Sequence, residues 1–358
     1  MPDESTPAHA GMEGQGAYNK HAKLQADGAA LALPLLEKAT QKIPLETSDQ
    51  RIIIADYGSS QGKNSLAPLR AAIKTLRGRL GPERPILVFH VDLPVNDFSS
   101  LFDVVDNDVN SYVFDEPNVF PCAIGRSFYT QVLPRQSVHL GWCSYAVVWL
   151  SHIPAKIPGH LVVVRAADPV RAAFERQGSE DWEAFLSLRA NELHPGGRLV
   201  VVLPAFNDDG QCGFEQLFDQ ANSVLRTMVD DGRLEAGERA RMVLGTFYRR
   251  MDDLLAPFQR DGKFQSLTVE ACELFALEDA AWADYQLHRN KEVLAAQQAM
   301  FFRATFMPSL ATALRDPDNA DQRRAFGSHL EKGLQRILVD QPAPVHSYVT
   351  TIVLAKET

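Results

Sequence analysis

Four consecutive apolar residues, Ile52-Ile53-Ile54-Ala55, predict a strand buried on both faces, as in a parallel sheet. Asp56 closes it, small polar residues with Gly58 and Gly62 follow, and Leu66, Leu69, Ile73 and Leu76 then recur at helical spacing. The pattern repeats: Ile86–Val91 is a second buried strand closed by Asp92, Phe98–Val105 a short helix, Asn118–Ile124 a strand. Ser137–Ser144 is another strand that opens into Tyr145–Leu150. Glu180–Leu193 reads as a helix with Ser179 as N-cap, His194-Pro195-Gly196-Gly197 as its stop, and Arg198–Leu203 as the next strand. Ahead of all these, Ala29–Ala39 is a helix that places Pro34 near its start or at a kink. Alternation of strand and helix up to about Pro204 predicts an α/β fold, a Rossmann-like, mostly parallel sheet.

Beyond Pro204 the periodicity becomes helical. Phe214–Arg226, Glu235–Met251, Glu292–Leu314 and Arg323–Leu338 read as helices, Thr268–Cys272 as one short strand, and Ser347–Leu354 as a strand returning to the sheet edge. The expected organisation is an N-terminal segment closing the site (1–40, polar and mobile at its beginning), a nucleotide-binding unit (41–206), a helical cap (207–344) and a C-terminal strand (345–358).

The loop after the first strand lacks the Gly-Lys-Ser/Thr ending of a phosphate-cradling loop and the G-x-G-x-x-G of a dinucleotide site. Acidic residues at both strand ends instead favour a ligand with positive charge and ribose hydroxyls, a description that S-adenosylmethionine satisfies. Asp92 is placed to accept both hydroxyls and would repel a 2′-phosphate, which counts against NADP.

Composition narrows the partners. With 45% apolar and 23% charged residues the 358-residue chain is ordinary for a globular protein, and a net charge of -9 argues against nucleic acid. Cys122, Cys143, Cys212 and Cys272 form no C-x-x-C pair, which suggests reduced thiols in a cytoplasm. Neither a signal peptide nor a membrane-spanning apolar run is visible. His139 and His152 read as structural residues, and the Asn207-Asp208-Asp209 turn as a solvated loop; no metal is expected.

Several stretches together resemble the SABATH family of S-adenosylmethionine-dependent carboxyl and N-methyltransferases. They are Tyr18–Gln25, Ala55-Asp56-Tyr57-Gly58-Ser59-Ser60-Gln61-Gly62-Lys63-Asn64 and Val91-Asp92-Leu93-Pro94-Val95-Asn96-Asp97-Phe98. Gly125-Arg126-Ser127-Phe128-Tyr129, Cys143–Ser151 and Phe185–Ala190 follow in family order, and the last third matches through Phe302-Arg303-Ala304 and Pro308. The resemblance implies a class I methyltransferase fold with a helical cap, a homodimer, and a small-molecule carboxylic acid as substrate. It places Asp56 and Asn64 by the methionine end of the cofactor and Asp92 at the ribose, with Tyr18, Gly58 and Ser59 as further cofactor contacts. Leu93, Ser127 and Phe128 flank the adenine, and Cys143 lines the cleft. Gln25 and Trp149 would hold the substrate carboxylate, with Tyr145 and Val148 as pocket walls.

This chain departs from the family at Ala22 and Ser59, where serine and cysteine are usual, at Arg126 before Ser127-Phe128, and at Val148, where many members carry histidine or methionine. A carboxylate is already ionised at neutral pH, so its methylation needs positioning and dryness rather than a base. Two neutral donors, the Gln25 amide and the Trp149 indole, suit that task; Lys20, Lys23 and Arg126 are the next candidates to grip the acid. N-methylation of a heteroaromatic ring and a non-catalytic cofactor-binding relative are the alternatives, and Val148 weighs against ring methylation.

Overall fold

The computed structural model describes residues 11–45, 51–114 and 116–358. The first ten residues, for which a mobile beginning is expected, lie outside the described residues. Eight strands form one sheet in the order β3-β2-β1-β4-β5-β8-β7-β6. They are β1 (Ile52–Tyr57), β2 (Ile86–Asp92), β3 (Val119–Gly125), β4 (Val138–Ser144), β5 (Leu193–Pro204), β6 (Lys263–Phe264), β7 (Leu267–Ala276) and β8 (Tyr348–Lys356). The first five run parallel, and β8 is antiparallel to both β5 and β7. From β1 the chain steps outward to β2 and β3, then returns to the far side of β1 for β4. That reversal opens a crevice at the carboxyl ends of β1 and β4, where ligands of open α/β sheets bind.

Both faces of the sheet are covered because alternate residues of β1 point opposite ways. Ile52 and Ile54 join the core under α3 (Leu33–Gln41) and α4 (Leu66–Leu80), with Leu36, Leu69 and Ile73. Ala55 and Tyr57 join the opposite core, with Trp182, Phe185 and Leu186 of α6 (Asp168–Glu192). A third core belongs to the cap, where α7 (Glu215–Asp230), α11 (Lys291–Ala311) and α12 (Ala320–Asp340) pack through Phe218, Leu225, Phe302, Phe306 and Leu334. The remaining helices are α1 (Ala17–His21), α2 (Lys23–Leu31), α5 (Phe98–Asn107), α8 (Ala236–Arg241), α9 (Met251–Leu255) and α10 (Ala280–His288). Among the described residues no helix is long and apolar enough to cross a membrane.

The α/β alternation and the four long helices at 66–80, 215–230, 291–311 and 320–340 match the sequence reading within a few residues. Pro34 sits in the first turn of α3, where its missing N–H costs nothing; α2 ends just before it. Five expectations need correction. The helix predicted to start at Glu180 begins twelve residues earlier, at Asp168, with Pro169 in its first turn. Gly178 is helical within it, because the ring of Phe247 occupies the place of a side chain: a Cβ would lie 2.8 Å from Phe247 Cε1 and still closer to Cδ1. The His194–Gly197 stop is already part of β5, and a register shift at Val138/Leu140 absorbs it. The strand expected at 268–272 extends to Leu267–Ala276, forms a hairpin with β6, and makes the true sheet edge, so β8 is internal rather than at the edge. Helix α10 went unread; its Asp279 cap accepts from the Trp282 N–H.

The largest difference is at Glu235–Met251, read as one helix. Only Ala236–Arg241 is helical before an extended, buried segment runs to Arg250. Its backbone pairs at long range: Leu244 N–H with Leu161 O, Leu150 N–H with Gly245 O, and Phe247 N–H with Val148 O, each at 2.8 Å. Fully buried Arg249 donates to Val147 O (2.6 Å) and Gly178 O (2.8 Å). These bonds replace the i→i+4 ladder that the periodicity favours.

Two glycine-to-alanine changes in helices should therefore differ in sign. Gly178→Ala should lower the urea midpoint, costing about 1–3 kcal/mol of overpacking against Phe247 despite alanine's better propensity. Gly78→Ala on α4, where a Cβ meets nothing within 4 Å, should raise it, by up to about 1 kcal/mol. Equal effects at the two positions would show that the Phe247 contact does not constrain α6.

Candidate active site

The site is built on loops that leave β1, β2, β3 and β4 at the same end of the sheet. After β1 the backbone turns through Gly58 at φ 84°, Ser60 at φ 48° and Gly62 at φ 83°. Gly58 and Ser59 donate backbone N–H groups to Val91 O, at 2.8 and 3.2 Å, which ties this loop over the end of β2. A Cβ on Gly58 would collide with the Cβ of Ala146, so the β1 and β4 loops touch with no room for a side chain.

Asp92 sits in this turn. One carboxylate oxygen accepts the Ser60 N–H and the other the Leu93 N–H, both at 2.7 Å. Burial pushes its pKa up to about 6; the two backbone donors pull it down and the nearby Asp56 charge adds to the rise. Asn96, from the same motif, donates to Ser60 O at 2.7 Å. Asp56, 1% exposed, lies 2.9 Å from His90 Nδ1, and His90 Nε2 lies 2.7 Å from the Tyr112 hydroxyl.

Phe128 enters from the β3 loop, which is anchored from behind by a buried pair. Arg189 donates to Phe128 O (2.8 Å), Thr130 O (3.1 Å) and Glu192 (3.0 Å). Glu192 in turn accepts from the Tyr57 hydroxyl (2.8 Å) and from the Val132 N–H (2.7 Å). The Tyr129 hydroxyl donates to Trp149 O at 2.7 Å, joining this loop to the one after β4.

Opposite the strand ends lie α1, α2 and α11, and between them and the strand ends is a partly open cavity. Residues 11–15 close one side: Arg303 pairs with Glu13 (2.7 Å) and Glu331 (2.7 Å), Gln61 donates to Glu13 O (2.6 Å), and the Gln15 N–H donates to Asp97 (2.9 Å). Among the described lining residues Asp92 is the sole Asp, Glu, Lys, Arg or His. Three lining groups are buried with no hydrogen-bond partner: Gln25 Oε1, Ser60 Oγ and the Tyr145 hydroxyl. Tyr145 adopts φ 58°, an uncommon conformation for a bulky residue, and its N–H donates to Val202 O at 2.7 Å.

Of the residues singled out from sequence, Tyr18, Gln25, Gly58, Asp92, Phe128, Tyr145, Val148 and Trp149 line this cavity. Asp56, Ser59, Asn64, Leu93, Ser127 and Cys143 are not among its lining residues. Asn64 hydrogen-bonds Tyr18, whose phenol pKa is raised by burial, and donates to Ala22 O at 3.2 Å. Burial pushes the Cys143 thiol up to about 12, so it is a protonated packing residue. Arg126, Lys20 and Lys23 are exposed and outside the lining.

Sequence reading missed Ser60, Thr246, Tyr248, Phe301, Thr305 and Phe306, which also line the cavity. Thr246 and Tyr248 fall in the stretch read as helix. Phe301, Thr305 and Phe306 lie on α11, which is buried nearly all round in its second half and so marks no inward face by periodicity.

The comparisons with known proteins agree with this architecture. A methyltransferase of a Fusarium species, LUC1, is 31% identical over 250 residues, 68% of this chain and 65% of that protein. The chain thus matches about two thirds of that relative's length. The salicylate carboxymethyltransferase of Clarkia breweri is 28% identical over 279 residues, covering 74% of this chain and 76% of the relative. The solved structure of loganic acid methyltransferase with SAH shares the fold, with a TM-score of 0.75 at 21% identity over 97% of this chain and 99% of that one. The family model described as SAM-dependent carboxyl methyltransferase matches residues 5–354. By that match over nearly its whole length, carried on a class I α/β sheet, the chain belongs to the S-adenosylmethionine-dependent carboxyl methyltransferase family, the SABATH family that its motifs resemble.

Proposed function

We propose that this protein forms the methyl ester of a small-molecule carboxylic acid. The observation that carries the reading is the charge pattern of the cavity: a carboxylate at the strand ends and neutral groups elsewhere in the described lining. Such a cavity suits a sulfonium cofactor at one end and an anionic nucleophile that must not be neutralised at the other.

The residues fit S-adenosylmethionine. Each oxygen of Asp92 accepts one backbone N–H and keeps a further lone pair for a ribose hydroxyl. The Ser60 hydroxyl, buried without a partner, adds an unspent polar group in the same turn. The flat backbone at Gly58 and the Phe128 ring supply an apolar surface for the adenosine. We assign Asp56 and Asn64 to the methionine end and Leu93 and Ser127 to the adenine, with Tyr18 and Ser59 as further cofactor contacts. When bound, S-adenosylmethionine supplies an electrophilic methyl: a carboxylate lone pair forms the O–CH3 bond as the S–CH3 bond breaks and its pair stays with sulfur.

The protein's part is to hold one carboxylate oxygen still in a dry site. We assign this to the Gln25 amide and the Trp149 indole N–H. Gln25 is buried, and its only described side-chain bond is a long one, 3.4 Å from Nε2 to Thr305 Oγ1. That contact is weak enough to be exchanged for a carboxylate oxygen at the ordinary distance of about 2.9 Å. No base is needed, because an acid with pKa about 4 arrives ionised. Val148 and Tyr145 shape the walls around the acid. The homodimer is proposed on the resemblance alone; light scattering at micromolar concentration checks it, and a monomer mass would remove it.

Cofactor affinity should depend on pH through Asp92. Its pKa is raised, so the carboxylate is ionised above about 6 and becomes protonated as pH falls through that value, losing acceptor strength. Calorimetric titration should show constant affinity at pH 7–9 and a decline of up to about tenfold per pH unit well below 6. Asp92→Asn should be weaker by about ten- to hundredfold at pH 8 and show no such decline. An identical pH profile in that variant would mean another group controls binding.

Gln25→Ala and Trp149→Phe should each lower kcat/KM for the acid by about five- to two-hundredfold, equivalent to about 1–3 kcal/mol, with cofactor affinity nearly unchanged. Because both donors hold one group, the double variant should fall short of the product of the single effects. Wild-type turnover in both single variants would show that the carboxylate is held elsewhere.

A further inference from the structure

A second, partly open cavity lies beside the reaction cavity between α1–α2 and α10–α11. The two share Leu24, Phe214 and Phe301, so a layer of apolar side chains separates them. The Phe214 and Phe301 rings stack, with centroids 5.8 Å apart and planes at 18°. Leu24 and Phe301 are only partly buried, although both are large and apolar. Apolar surface facing two cavities carries a hydration cost that an apolar ligand crossing between them would recover. Leu24 and Phe301, being partly buried, are the side chains whose rotation would open the partition.

Occupancy points the same way. Carboxyl methylation demands that the reaction cavity accommodate both the cofactor and the reacting end of the acid. An acid much longer than its reacting end must continue somewhere, and the partition is the apolar way out. Beyond it the lining is mixed, with Met300, Ala281 and Val345 beside Lys20, His21 and Gln297. Much of the charge there is already engaged: Lys23 pairs with Asp27 (2.7 Å), and Asp284 with His288 (3.5 Å). Asp279 caps α10 and accepts the Val345 N–H (2.8 Å).

We infer that the substrate is an elongated acid. Its carboxylate sits at Gln25, its apolar stem crosses at Leu24, Phe214 and Phe301, and its far end, neutral and hydrogen-bonding, occupies the outer cavity. This rests on the carboxyl-methylation reading above and adds the shape of the acid to it.

The test measures S-adenosylhomocysteine release by the full chain with ω-hydroxydodecanoic acid and with benzoic acid. The elongated acid should exceed the compact one by about tenfold or more in kcat/KM, through the methylenes it buries. Ala281→Trp on α10 and, separately, Met300→Trp on α11 fill the outer cavity without touching the reaction cavity's lining. Each should bring the elongated acid down to about the level of benzoate, leaving benzoate turnover and cofactor affinity unchanged. Two helices are used so that one misfolded variant does not decide the matter, and thermal melts identify it. Benzoate turned over as well as the elongated acid, or an elongated acid indifferent to a folded variant, would overturn the inference and leave carboxyl methylation standing. A chain that binds S-adenosylmethionine yet methylates neither acid would overturn both.

Discussion

The contact between Gly58 and Ala146 is the constraint on which the site depends. β1 and β4 are neighbours in the sheet, and the loops that leave them meet directly with no space for a Cβ on Gly58. Phe128, from the β3 loop, closes on the same point; its ring would be 3.6 Å from that Cβ. This floor sets the depth of the crevice at which the strand order reverses. It also holds the turn that carries Ser60 and hence the N–H donor on Asp92. The positive φ of Gly58 is thus part of how an acidic side chain at the neighbouring strand end is oriented.

Behind the floor, Arg189 and Glu192 form an ion pair that is fully buried. Removing both charges from water costs several kcal/mol per ion, and the pair is tolerable because hydrogen bonds surround it. The carbonyls of Phe128 and Thr130, the N–H groups of Val132 and Leu133, and the Tyr57 hydroxyl all point at it. In return the β3 loop, whose Phe128 and Leu133 also join the core beside α6, is pinned to that helix. The opposite wall is held differently: Glu13 is gripped by Arg303 of the cap while its carbonyl is held by Gln61 of the β1 loop. The N-terminal stretch therefore bridges the sheet and the cap across the cavity.

A cavity whose one charged group among the described lining residues is Asp92 suits the proposed reaction. For methyl transfer to an acid already ionised, catalysis would reduce to removing water and fixing direction, and a cationic grip would tie up the lone pair that must attack. The exposed positions of Lys20, Lys23 and Arg126, outside the lining, are consistent with that division of labour.

The sequence by itself determined the sheet and its ends. Continuous β-branched runs announce buried parallel strands, and Asp56 and Asp92 at their carboxyl ends mark the crevice, because such signals depend on neighbours along the chain. Tyr18, Gln25, Phe128 and Trp149 were legible through the family resemblance instead, since they sit in motifs that are specific only in combination. Local reading failed where the deciding partner is distant. Residues 242–250 have helical periodicity but become extended, because Leu161, Val148, Leu150 and Phe206 offer them backbone partners from elsewhere in the fold. Gly178-Ser179 looks like a helix boundary, yet the helix passes through it because Phe247 needs the missing side chain's volume. Thr246, Tyr248, Phe301 and Thr305 became cavity walls only when those segments were packed together. Local pattern selects strands, helices and the acids at their ends; which faces enclose a cavity, and how far it extends beyond Leu24 and Phe301, is decided by long-range packing that no single stretch encodes.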